Sequence, residues 1–96
     1  MKRYTVVFSD DAVADFASSL QWGCENWGED VAWHWYAEIR NSIRKTLSSF
    51  PLSQPIAPDN DEFEIEVRHM VIGRYRVLFT ISGKQVTILH LSGPFH

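Results

Sequence analysis

The sequence predicts an α+β domain in which a helical hairpin packs on one face of a small, mainly antiparallel sheet. Three observations predict it. A short β-prone run opens the chain, two apolar stripes at helical spacing follow, and the second half alternates with period two. The expected order is β-α-α-β-β-β. The 96 residues suffice for one domain over residues 1–96 and not for two.

Tyr4 to Phe8, rich in Thr, Val and Phe, reads as the first strand. Ser9 is a helix cap, and Asp10 and Asp11 suit the positive end of the helix that follows. Val13, Phe16, Ala17, Leu20 and Cys24 fall on one stripe, which predicts a first helix over residues 10–24. Asn26 to Asp30, with Gly28 inside it, is the joint. Ala32, Trp35, Tyr36, Ile39, Ile43, Leu47 and Phe50 form the stripe of a second helix that Pro51 stops. Two amphipathic helices joined so closely make an antiparallel hairpin.

Residues 51–62 hold Pro51, Pro55 and Pro58 and read as a loop. From Phe63 the period is two. Phe63, Ile65 and Val67 alternate with Glu64, Glu66 and Arg68, and Tyr75, Val77, Phe79 and Ile81 alternate with Arg74, Arg76, Leu78 and Thr80. Ser82-Gly83 is a tight turn into a return strand over Val86 to Leu91. The apolar half of each strand is expected to face the helices. Glu64, Glu66, Arg68, Arg74, Arg76 and Thr80 then share an outward face, either a working surface or a solvated one.

Composition narrows the function. An apolar share of 45% excludes a disordered tail. A net charge of −3 and a pI near 5.7 argue against a broad grip on nucleic-acid phosphates. The lone Cys24 excludes an internal disulfide and offers no zinc-site spacing. Met1-Lys2-Arg3-Tyr4 begins no apolar leader, and no apolar run is long enough to span a membrane, so a soluble cytoplasmic protein is expected. No cofactor is expected. His34 and Glu38, four apart on helix 2, lack a third metal ligand and read as a surface pair. His69 reads as a turn residue or a proton-transfer candidate, and His90 as a core or edge histidine.

The segment Glu66-Val67-Arg68-His69-Met70-Val71-Ile72-Gly73-Arg74-Tyr75-Arg76-Val77-Leu78-Phe79 resembles the stretch common to RelE/ParE toxins. There an arginine-bearing strand turns into a Gly-x-Tyr-Arg strand. Thr87-Ile88-Leu89-His90-Leu91 is similar to that family's last core strand. The resemblance implies the toxin of a type II toxin–antitoxin (plasmid stabilisation) pair, neutralised by a tightly bound antitoxin. It implies one of two targets: DNA gyrase for ParE-like members, or mRNA on the ribosome for RelE-like endoribonucleases.

Arg76 matches the family's Gly-Tyr-Arg arginine, which in nucleases stabilises the phosphate, and Arg68 matches a basic residue of the preceding strand. Two departures weigh against a nuclease. Ser92 stands where many relatives carry Arg, leaving Phe95 and His96 as the only substitutes for a C-terminal stacking or proton-transfer residue. Asp59, Asp61, Glu62, Glu64 and Glu66 surround the arginine strand with negative charge. The expectation is a gyrase-directed toxin; the alternatives are an endoribonuclease using Arg68 and Arg76, with His69 or His96, and an inactive relative that only binds its antitoxin. Trp22, Trp33, Arg40 and Arg44, off the core stripes, are the expected antitoxin contacts, since exposed Trp beside Arg is the composition of an interface hot spot. A homodimer is left open.

Overall fold

The computed structural model describes residues 3–93. Strand β1 (Thr5–Phe8) leads into helices α1 (Asp10–Trp27) and α2 (Glu29–Leu47), and strands β2 (Arg68–Ile72), β3 (Tyr75–Ser82) and β4 (Gln85–Ser92) follow. Two single-turn 3₁₀ segments, Pro51–Ser53 and Asn60–Glu62, punctuate the long connection. The sheet order is β1-β4-β3-β2. β1 runs parallel to β4, with Val6 opposite Val86, and the other pairs are antiparallel. Element order, hairpin and mainly antiparallel sheet agree with the sequence expectation.

Ser9 caps α1: its Oγ accepts from the Ala12 amide at 3.1 Å and donates to the Leu89 carbonyl at 3.1 Å. Gly28, at φ 95°, lets the chain leave α1 and start α2 without a linker. α1 therefore runs to Trp27, one turn past the expected end. Its buried stripe also differs: Ala12, Phe16, Ser19 and Gly23 face inward, while Val13 is 56% exposed. The reason is close approach. A Cβ placed on Gly23 would stand 3.1 Å from the Cβ of Ala32. At that separation small residues must line the contact, and the larger apolar side chains rotate to its flanks.

α2 buries Ala32, Ile39, Ile43 and Leu47 as expected, and ends at Leu47. Phe50, assigned to its stripe, lies beyond the helix and is 68% exposed. The principal core sits between the hairpin and one sheet face, where Phe16, Ile39, Ile43 and Leu47 meet Val77, Phe79, Val86 and Ile88. Burial of this apolar surface is the main driving force for the fold.

The second sheet face departs from expectation. Residues 63–67 form no strand, and Ile65 is exposed. The Ala57 amide donates to the Val67 carbonyl at 2.9 Å, and the Val67 amide donates to Asn60 Oδ1 at 2.6 Å. These local bonds take the backbone groups a longer β2 would have used. Val67 turns away from the helices and forms a second cluster with Ala57 and Leu78, bordered by Phe63 and Leu89. The outward face is thus half-roofed by its own loop.

Candidate functional site

The roof decides the state of the arginines. Arg76 lies opposite Val71 on the face away from the helices. Its Nη1 donates to Asp59 Oδ1 at 2.8 Å and its Nη2 to Asp59 Oδ2 at 3.0 Å. This hydrogen bonding holds the Asp59 carboxyl below its usual range and pushes the Arg76 guanidinium further up. The fork that would grip a phosphate is filled by a carboxylate.

Arg68 lies opposite Phe79, a residue of the helix-side core, so alternation places it on the other face from Arg76. Its Nη1 donates to the Gln54 carbonyl at 2.7 Å, and its Nη2 stands 3.3 Å from Glu66 Oε1. The expected single surface holding both arginines therefore does not form; the register at Val67 shifts Arg68 to the opposite side. Arg74 is exposed at the β2–β3 turn, and Thr80 donates to the Glu66 carbonyl at 2.9 Å.

His69 is a strand residue rather than a turn residue. It pairs with Leu78, on the Arg76 side of the sheet. Its Nδ1 is buried without a hydrogen-bond partner. His69 and the Arg76–Asp59 pair thus share this face with Thr80. His90 stands apart, its Nδ1 3.1 Å from Asp15 Oδ2, which also accepts from the Leu91 amide at 3.0 Å. His96 and Phe95 lie outside the described residues.

A second constellation forms where α2 passes the end of β1. The guanidinium of Arg40 lies over the rings of Phe8 (5.2 Å) and Tyr36 (5.5 Å), and that of Arg44 over Phe8 (5.3 Å). Arg40 Nη1 donates to the Tyr36 hydroxyl at 3.3 Å. Trp33, 55% exposed, meets Tyr36 edge-on at 5.6 Å. Trp33, Tyr36, Arg40 and Arg44 border a groove of about 470 Å³, and beside it Phe8, Val13, Phe16 and Tyr36 wall a cleft of about 190 Å³.

Of the four expected antitoxin contacts, Trp33, Arg40 and Arg44 come together. Trp22 does not: it is half-buried at the far end of α1, edge-on to Trp27 at 5.2 Å. Phe8 and Tyr36 are not among the expected contacts: the sequence shows Phe8 only as the end of the first strand and Tyr36 as part of the apolar stripe of α2. The signal for Tyr36 is its spacing, since Tyr36, Arg40 and Arg44 follow at four-residue intervals along one side of α2.

Elsewhere, Trp27, Trp35 and Tyr75 line an apolar cavity of about 360 Å³. Burial raises the Tyr75 phenol above its usual value. His34 and Glu38 form the expected exposed pair at 3.1 Å. Among the described residues no three His, Cys, Asp or Glu side chains gather to hold a metal, and no helix is long and apolar enough to cross a membrane.

No protein-family model matches the sequence, and no curated protein matches it. Solved structures do match. The fold superposes on a chain of the chromosomal ParDE toxin–antitoxin system from P. aeruginosa with a TM-score of 0.78 and 18% identity, over 97% of this chain and 98% of that one. It superposes on a chain of the RelBE2 toxin–antitoxin complex from Mycobacterium tuberculosis with a TM-score of 0.70 and 22% identity, over 100% and 97%. The chain has the RelE/ParE-like fold.

Proposed function

We propose that this chain is the toxin of a type II toxin–antitoxin pair, acting in the cytoplasm by binding DNA gyrase and neutralised by a bound antitoxin. The toxin assignment is supported by the full-length likeness to chains of two toxin–antitoxin complexes together with the Arg68–Phe79 and Thr87–Leu91 segments. Trp33, Arg40 and Arg44 are the contacts assigned to the antitoxin, with Trp22 outside that patch.

The observation that carries the choice of target is the Arg76–Asp59 pair. Cleavage of a phosphodiester needs cationic groups aimed at the charge developing on the phosphate, and a base or acid within reach. Arg76 is neutralised by Asp59, and Arg68 faces the other side of the sheet beside Glu66. Binding a protein target asks for neither group.

A ribosome-associated endoribonuclease is the second reading, favoured by the placement of His69 on the same face as Arg76. It requires Asp59 to leave the arginine. An inactive relative that keeps only its antitoxin-binding surface is the third.

Induced expression in a bacterial host separates the three, with DNA-damage response and mRNA integrity followed together in wild type and in Arg68→Ala/Arg76→Ala. Growth arrest with DNA damage and intact mRNA is the expected result. Arrest with fragmented mRNA, abolished in the double variant, replaces the gyrase reading with the nuclease. Normal growth leaves the third reading.

A further inference from the structure

We propose that the Trp33–Arg40–Arg44 groove receives an acidic segment of a protein partner, one with two carboxylates about a helical turn apart beside a single apolar anchor. This rests on the reading above only in that the partner is a protein; the chemistry of the segment is read from the groove.

The charge pattern comes first. Arg40 and Arg44 are one turn apart on α2, which sets their side chains about 5–6 Å apart at Cβ. Among the described residues, no carboxylate lies within ion-pair distance of either, whereas Arg68 and Arg76 are both paired. An acidic chain that leaves two neighbouring arginines uncompensated leaves them for an acidic partner. Their geometry supports this. Both guanidinium groups lie over the Phe8 ring, their central carbons 5.2 and 5.3 Å from its centroid, a cation–π contact that holds the two charges side by side.

The apolar element comes second. The cleft walled by Phe8, Val13, Phe16 and Tyr36 opens beside Arg40 and, at about 190 Å³, has room for an aliphatic side chain. Val13 in the cleft wall and Trp33 in the adjoining groove each leave more than half of their surface to solvent. An anchor in this cleft places the flanking residues of its own segment within reach of Arg40 and Arg44.

A nucleic acid fits less well. Asp10 and Asp11, both exposed, follow Phe8 by two and three residues and repel a continuous polyanion approaching the same edge. Discrete carboxylates set opposite the arginines avoid them.

The test is selection of a random-peptide display library on the full chain, run in parallel on Arg40→Glu/Arg44→Glu and on Val13→Glu. The wild type is expected to enrich peptides pairing Asp or Glu with one large apolar residue. The double reversal should bind those peptides about tenfold or more weakly and enrich Lys or Arg instead. Val13→Glu should lose them too. Should the double reversal fail to fold, Arg40→Gln/Arg44→Gln, checked by circular dichroism, takes its place.

Absence of enrichment, enrichment without acidic residues, or the same peptides on wild type and variant overturns the proposal. So does tighter binding of a single-stranded oligonucleotide that the reversal abolishes, which would assign the groove to nucleic acid. The outcome is separate from the toxin reading. A chain that arrests growth yet selects no acidic peptide keeps that reading and loses this one, and a harmless chain that selects them does the reverse.

Discussion

Arg76 on β3 and Asp59 in the β2-preceding loop meet fork to fork, at 2.8 and 3.0 Å, across 17 residues of sequence. The pair ties the roof of the second sheet face to the strand beneath it. Three further ties act with it: the Ala57–Val67 and Val67–Asn60 bonds and the Arg68–Gln54 bond. Residues that a sequence motif marks as functional are here also the fastenings of a loop.

Arg76→Ala is therefore expected to release the roof and spare the hairpin. Hydrogen exchange at the Ala57 and Val67 amides should quicken in the variant, while the amides of α1 and α2 keep their protection. Equal protection of Ala57 and Val67 in both proteins would show that the ion pair is incidental.

Acid should have the same effect by another route. The Asp59 carboxyl is held below its ordinary value of 3.8 by the Arg76 hydrogen bond. A lowered folded-state value contributes stability above the ordinary value and loses it as pH falls through the folded one. Protection of the Val67 amide should hold from neutral pH down to about 3.8 and fall below it. In Asp59→Ala this acid step should be missing; a step of the same size would assign it to another carboxylate.

Phe79 is fully buried at the centre of the principal core. Phe79→Ala should cost about 3–5 kcal/mol, a large share of the roughly 5–15 kcal/mol that holds a domain together. Denaturant unfolding measures it. A cost below about 1 kcal/mol would mean the core collapses around the gap with unusual ease.

Gly93 lies against the Tyr75 ring, and a Cβ there would stand 2.7 Å from Tyr75 Cδ1. Gly93→Ala should destabilise by about 1–3 kcal/mol, the usual cost of overpacking. Tyr75→Leu should relieve part of that cost in the double variant. Strict additivity would show that the two residues do not press on each other.

Ser9→Ala removes the cap of α1 and a bond to β4 together. A loss of about 1 kcal/mol is expected in thermal or chemical unfolding. Ser9→Asp, which can still accept from the Ala12 amide, should recover most of it.

The helices, the order of elements along the chain and the turns are legible because they rest on short-range rules: a cap at Ser9, a stop at Pro51, a turn at Gly83 and alternation along β3. The inward stripe of α1 is not. Spacing ranks residues by apolar size, and the contact with α2 selects for smallness at Ser19 and Gly23. The face of Val67 was not legible either. Alternation was carried back from β3 through Phe63, but Asn60 and Ala57 capture the Val67 backbone and reset the register. That reset moved Arg68 across the sheet and divided the motif. The Trp33–Arg40–Arg44 patch was visible as three residues on one helix stripe. Phe8, the ring that orders its arginines, was hidden because only the tertiary fold brings β1 to α2.

The sheet order has a consequence for how the molecule is made. β4 is the last described strand in the sequence and an interior strand of the sheet, flanked by β1 on one side and β3 on the other. A chain emerging from the ribosome presents β1 and the hairpin first, with no sheet to cover their apolar faces. The parallel pairing of β1 with β4 closes only after about 80 intervening residues have been synthesised, as the separation of 80 in the Ser9–Leu89 bond records. Such long-range pairings are slow to form. The packed state, and whatever activity depends on it, therefore forms only once β4 has been made.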